Sequence, residues 1–140
     1  MHKLVLILLF ATSLVACHQA DNTYTKVLLS ADLIDNPSQL KFDTPAHDFG
    51  RIAEGDKPTF DFKFNNISKN PLLITEVHAS CGCATPYWPK DIIKPGEASL
   101  IRVEYNTAGN PGKFRKSITV TANTVPNITM LTIEGEVIPK

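Results

Sequence analysis

The chain has 140 residues, with 14 basic against 14 acidic side chains and a formal net charge of zero. With no run of basic residues there is no electrostatic pull toward a polyanion, so nucleic acid is not expected as a partner. The length suits one domain with one core, which needs no metal to hold it together.

Lys3 opens the chain ahead of an apolar run from Leu4 to Leu14, which closes on Leu14-Val15-Ala16-Cys17. That is the pattern of a bacterial lipobox: a positive start, an apolar stretch too short to span a bilayer, and a small residue directly before a cysteine. Residues 1–16 are expected to be a signal peptide and Cys17 the lipidated first residue of the mature protein. Acyl chains on Cys17 would tie the protein to a membrane without a transmembrane helix. The following His18-Gln19-Ala20-Asp21 lacks an aspartate next to the cysteine, which favours the outer membrane. The expected location is therefore the cell envelope, lipid-anchored, facing the periplasm or the surface. Residues 17–43 read as a tether rich in Thr, Asn, Asp and Ser, with apolar patches at Val27-Leu28-Leu29 and Leu33-Ile34.

From residue 44 to 140 the pattern changes to short alternating stretches separated by turn residues, as in an all-β domain. The clearest strand is Thr59 to Asn65, in which Phe60, Phe62 and Phe64 share one face and Asp61 and Lys63 take the other. Alternation returns in Ile101 to Tyr105, in Ile118-Thr119-Val120, and in Leu131-Thr132-Ile133 with Val137 beyond. Turn signals at Glu54-Gly55-Asp56, Asn65-Asn66 with Lys69-Asn70-Pro71, Lys94-Pro95-Gly96-Glu97, Ala108 to Gly112 and Asn123 to Asn127 separate them. Pro71, Pro86, Pro89, Pro95, Pro111 and Pro126 are expected at turns, and Pro58 at a strand start or an edge. The count gives a seven-stranded immunoglobulin-like β-sandwich, without the antibody arrangement of cysteines about a tryptophan.

The run His47 to Asp56, then Phe60 to Asn66, Pro71-Leu72-Leu73-Ile74, Ala79-Ser80-Cys81-Gly82-Cys83, Lys94-Pro95-Gly96-Glu97 and Ser117 to Asn123 resembles the bacterial family of the domain of unknown function 1573. The resemblance covers about Phe42 to Val137. It implies a seven-stranded immunoglobulin-like sandwich, secretion or lipid anchoring, and occurrence in Bacteroidetes-type bacteria, and it implies no established activity. Where many members have threonine directly after Cys-Gly-Cys, this chain has Ala84 and then Thr85.

With Cys17 acylated, Cys81 and Cys83 remain, an even number for an oxidising compartment. Three roles are open to them. A structural pair would use Gly82 for the positive φ of a tight bend; so small a ring constrains little chain, strains the Cα separation and favours reduction. A redox pair would exchange disulfides with an envelope partner, with His78 the nearest group to favour a thiolate. A soft-metal site would hold Cu(I) between the two sulfurs, or zinc with His78 and a fourth ligand. No cofactor is required by any other feature.

Asp48 with Glu54, and Glu134 with Glu136, could be taken for hydrolytic acid pairs, but Glu134 and Glu136 alternate with Ile133 and Val137 and so read as a solvated strand face. His47 reads as a satisfied polar residue. Tyr87-Trp88 could contact a partner from a loop, or could pack in the core. No catalytic constellation is visible. The expectation is a non-enzymatic binding or assembly module, anchored to the membrane and working with an envelope protein through its loops or open strand edges. The alternative is a thiol-active accessory protein acting through Cys81 and Cys83, in disulfide exchange or Cu(I) handling.

Overall fold

A computed structural model describes residues 33–140; the segment expected to be a signal peptide, Cys17 and most of the expected tether lie outside them. Eight strands follow in order: β1 Leu40–Phe42, β2 Ala46–Ala53, β3 Thr59–Asn66, β4 Ile74–Ala79, β5 Ala84–Tyr87, β6 Ala98–Tyr105, β7 Gly112–Ala122 and β8 Ile128–Ile138. They form two four-stranded sheets, in the orders β1-β3-β6-β5 and β2-β8-β7-β4. All pairs are antiparallel except β2 with β8.

The two sheets meet through the faces that alternation marks as apolar. Phe62 and Phe64 of β3 and Ile101, Val103 and Tyr105 of β6 pack in one core with Val77 and Ala79 of β4, Ile118 and Val120 of β7, and Leu131, Ile133 and Val137 of β8. Each such side chain withdrawn from water contributes about 1.5–3 kcal/mol. Tyr105 also stacks on Phe114, with ring centroids 4.1 Å apart.

Seven strands were expected and eight are present. The addition is β1, whose three residues are too few to show alternation; β3 recruits it, with Leu40 opposite Asn66 and Phe42 opposite Phe64. The ordered chain also begins before residue 44. Leu33 and Ser38 are buried, and the Leu33 carbonyl accepts a hydrogen bond from Asn123 Nδ2 at 3.3 Å. Pro86, expected at a turn, lies within β5, an outermost strand where a missing N–H is tolerated. Asn65-Asn66, also expected at a turn, instead close β3, because Lys41 and Leu40 of β1 and Ala98 of β6 extend the ladder over them. Pro58 directly precedes β3, and its carbonyl accepts from Tyr105 N.

The chain enters the domain at one end, where the β3–β4 loop, the β5–β6 loop and the β7–β8 loop gather about Leu33 to Gln39. Asn66 is the hub there: its Nδ2 donates to the carbonyls of Asn70 (2.8 Å) and Ile93 (3.1 Å), while its Oδ1 accepts from Ser38 Oγ and from Ser68 N and Oγ. The opposite end carries the β2–β3, β4–β5 and β6–β7 loops. Thr107, fully buried, holds it together by donating Oγ1 to the carbonyls of Ala53 and Asp56.

Candidate functional site

Cys81 and Cys83 form the turn that carries the chain from β4 of one sheet to β5 of the other, and their sulfurs are joined in a disulfide. Both residues are half-buried and pack against the core. The turn is held by its backbone: Asn106 N donates to Cys83 O at 2.8 Å, and Ser80 N donates to Ser117 O at 2.9 Å.

Two expectations for this turn are corrected. The Cα atoms are 5.2 Å apart, within the ordinary disulfide range, so the short ring has not compressed them. Gly82 is not among the glycines at positive φ, and a Cβ built on it would meet nothing within 4 Å. The bend is made without the freedom that only glycine has, and Gly82 leaves open backbone on the outside of the turn.

His78 is exposed on β4, opposite Thr119, while Val77 and Ala79 on either side are buried. In the bonded state neither cysteine sulfur is a thiolate, the form that ligates a soft metal. Among the described residues no three His, Cys, Asp or Glu side chains gather in a way that could hold a metal ion.

The acid pairs are engaged locally. Asp48 Oδ1 accepts from Gly50 N at 2.8 Å, Glu54 Oε1 accepts from Gly109 N at 3.2 Å, and Glu134 pairs with Arg115 at 3.0 Å. The half-buried His47 stacks on Phe60, and burial holds its ring below the ordinary histidine value against the opposing pull of Asp48.

A groove opens on the outer face of the β5–β6 sheet, lined by Tyr87, Trp88, Pro89, Ser99, Leu100 and Arg102. The strand period explains it: Ile101 and Val103 point to the core, so Leu100 and Arg102 point out, and Arg102 stands between Asp61 on β3 and Tyr87 on β5. Arg102 grips the Asp61 carboxylate with two hydrogen bonds, Nε to Oδ1 at 2.6 Å and Nη2 to Oδ2 at 2.7 Å. The fork holds the Asp61 carboxyl below the usual carboxylate range. So exposed a pair adds little stability, but it fixes the plane of the guanidinium beside the groove.

The two aromatic residues differ in their burial. Tyr87 is 55% exposed. Trp88 is half-buried against the core, its Nε1 buried without a partner, and Lys90 Nζ sits 2.8 Å over its ring centroid. Nothing in the sequence alone marks the Arg102–Asp61 pair or Leu100 as a site. The one signal they carry is the outward position each holds in an alternating strand.

The outermost strands are all interrupted. β1 has three residues, β5 has four with Pro86 among them, β4 is bulged between Ile74 and Glu76, and β2 is bulged between Asp48 and Arg51 around Gly50 at φ 66°. These are the devices that discourage an added strand, so the outer faces are better suited to contact than the edges.

Solved structures with the same arrangement include a protein of unknown function from Porphyromonas gingivalis W83, with a TM-score of 0.64 and 17% identity, the match covering 71% of this chain and 46% of that one. The chain thus spans less than half the length of that protein. The PapD-like domain 7 of human CEP192 matches with a TM-score of 0.62 and 6% identity over 74% of this chain and 88% of that one. The CupB2 chaperone of Pseudomonas aeruginosa matches with a TM-score of 0.51 and 12% identity over 69% of this chain and 54% of that one. At these identities the likeness defines an all-β fold of the PapD-like kind and nothing more. The chain belongs to the family described as protein of unknown function, DUF1573, whose pattern matches residues 40–137. No curated protein matches the chain.

Proposed function

We propose that this is a lipid-anchored envelope protein whose immunoglobulin-like sandwich works as a non-enzymatic binding or assembly module. The observation that carries the reading is the outer-face groove, where an exposed tyrosine, a leucine and an arginine held in plane by Asp61 stand side by side. Tyrosine and arginine are the side chains that most often dominate protein interfaces. The interrupted edges support recognition by this face in preference to strand addition, and the PapD-like fold is compatible with a binding role.

A photo-crosslinking residue at position 87 of the full chain, expressed in its own envelope, tests the reading. The expected result is a discrete adduct at 87 that Arg102→Glu abolishes, with none at position 119 on the outer face of the other sheet. Equal, diffuse labelling at both positions would refute it.

The thiol-active reading rests on a different observation, the disulfide at a turn whose central backbone stands open at Gly82. In exchange with a partner dithiol, the partner's thiolate attacks one sulfur and the other leaves as a thiolate; a second attack closes the partner's disulfide and leaves Cys81 and Cys83 reduced. Acid quenching followed by alkylation in cells tests it. A mixture of reduced and oxidised forms that shifts when envelope thiol oxidation is disabled supports exchange; a pair that stays fully oxidised refutes it.

A further inference from the structure

Six large apolar side chains are exposed among the described residues: Ile34, Ile67, Tyr87, Val125, Ile128 and Met130. None lies in the loops of the end that holds the Cys81–Cys83 turn. Ile34, Ile67 and Val125 are at the other end, where the chain enters the domain, and they come from three separate segments: the entering chain, the β3–β4 loop and the β7–β8 loop. Their exposures are 78%, 55% and 80%. They also form one surface. Val125 lines a depression with Ile67, Leu40 and Pro126, and lines the adjoining one with Ile34, Leu33 and Pro37.

Three apolar side chains on separate segments, all at one end, leave apolar area in water that the fold itself does not use. What covers them is indicated by where the chain comes from. Cys17 lies sixteen residues before Leu33, and at about 3.5 Å per extended residue the lipid can be at most roughly 55 Å from this end. This end is the first part of the described domain that the chain reaches after Cys17.

We propose that Ile34, Ile67 and Val125 rest in the surface of the bilayer that holds Cys17, so that the domain stands on its entry end with the Cys81–Cys83 turn pointing away from the membrane. This rests on the lipid-anchored reading above. A lipid chain and a protein patch are the two signals that together give stable, oriented attachment. The contact is apolar: Lys69, Lys90 and Lys94 in the loops of this end are offset by Asp35, Asp91 and Glu97. It does not depend on anionic headgroups and should survive high salt.

The test uses the mature chain purified from its own bacterium and mixed with vesicles of phosphatidylethanolamine and phosphatidylglycerol. An environment-sensitive fluorophore is placed on Val125→Cys, or on Asn110→Cys at the far end, with Cys81 and Cys83 kept oxidised. The expected result is a blue shift and at least a tenfold loss of iodide quenching at 125 on adding vesicles, with no change at 110, and persistence in 0.5 M salt. Ile34→Ser with Ile67→Ser should restore quenching at 125 without releasing the protein, and circular dichroism should confirm that the variant is folded. Equal quenching at 125 and 110 in vesicles overturns the proposal. So does shielding at 125 already present without vesicles, which would assign the patch to another part of the chain or to a second copy. Labelled palmitate, incorporated by the wild type and not by Cys17→Ala, reads the anchor separately: palmitate with no shielding sinks the docking surface alone, and shielding with no palmitate sinks the anchor alone.

Discussion

The imidazole of His47 lies flat on the ring of Phe60, with centroids 3.6 Å apart and planes 8° from parallel, and so joins β2 of one sheet to β3 of the other. Burial favours the neutral ring, and its pKa is lowered from 6.5 despite Asp48 beside it. The folded chain therefore binds this proton less readily than the unfolded one. The stability that depends on the neutral ring is fully present above pH 6.5 and is lost as the pH falls below that value toward the lower one of the folded ring. Thermal unfolding should show a midpoint that drops as the pH falls below about 6.5, and His47→Phe should remove most of that drop.

Asn66 is fully buried, and its side chain donates to two residues, Asn70 and Ile93, and accepts from two others, Ser38 and Ser68. Asn66→Leu would leave the carbonyls of Asn70 and Ile93 without this donor, and Asn66→Asp would place a carboxylate against them. Each is expected to cost at least about 2 kcal/mol in urea unfolding, with the aspartate variant worse above pH 6.

Gly135 on β8 is crowded by two close neighbours. A Cβ there would lie 2.8 Å from Gly50 O and 3.0 Å from the Phe114 ring. Gly135→Ala should destabilise by about 1–3 kcal/mol, and hydrogen exchange should locate the loosening at β2, which must move off β8. Gly82→Ala is the contrasting case: with nothing within 4 Å of the added methyl, the unfolding midpoint should not change.

Joining residues only two apart removes little freedom from the unfolded chain. Cys81→Ala with Cys83→Ala should therefore lower stability by no more than about 2 kcal/mol, less than Phe62→Ala in the core, for which about 3–5 kcal/mol is expected. A loss as large as that of the core variant would show that the turn holds the two sheets together.

What could be read from the sequence follows from how local each signal is. Phe60, Phe62 and Phe64 announce β3 because alternation needs only neighbours, and the same holds for β6, β7 and β8. The first strand is not legible because three residues carry no period, and Leu40 pairs with Asn66, 26 positions away. Pro86 looked like a turn because nothing local marks β5 as outermost. The Asn66 hub and the Asp61–Arg102 fork join residues far apart in the chain, and no residue of either is unusual where it stands. Cys81 and Cys83 were legible as a pair. That Gly82 would not need its freedom could be learned only from the backbone.

The short crossings between sheets have one more consequence. Residues 43–45 link β1 to β2 on one flank and residues 80–83 link β4 to β5 on the other, so each side of the domain is stitched shut by its own chain. The layers can neither slide apart nor open like a clam, and no guest can slip between them from the side. Whatever the described domain meets, it meets with its two layers tied together at both flanks.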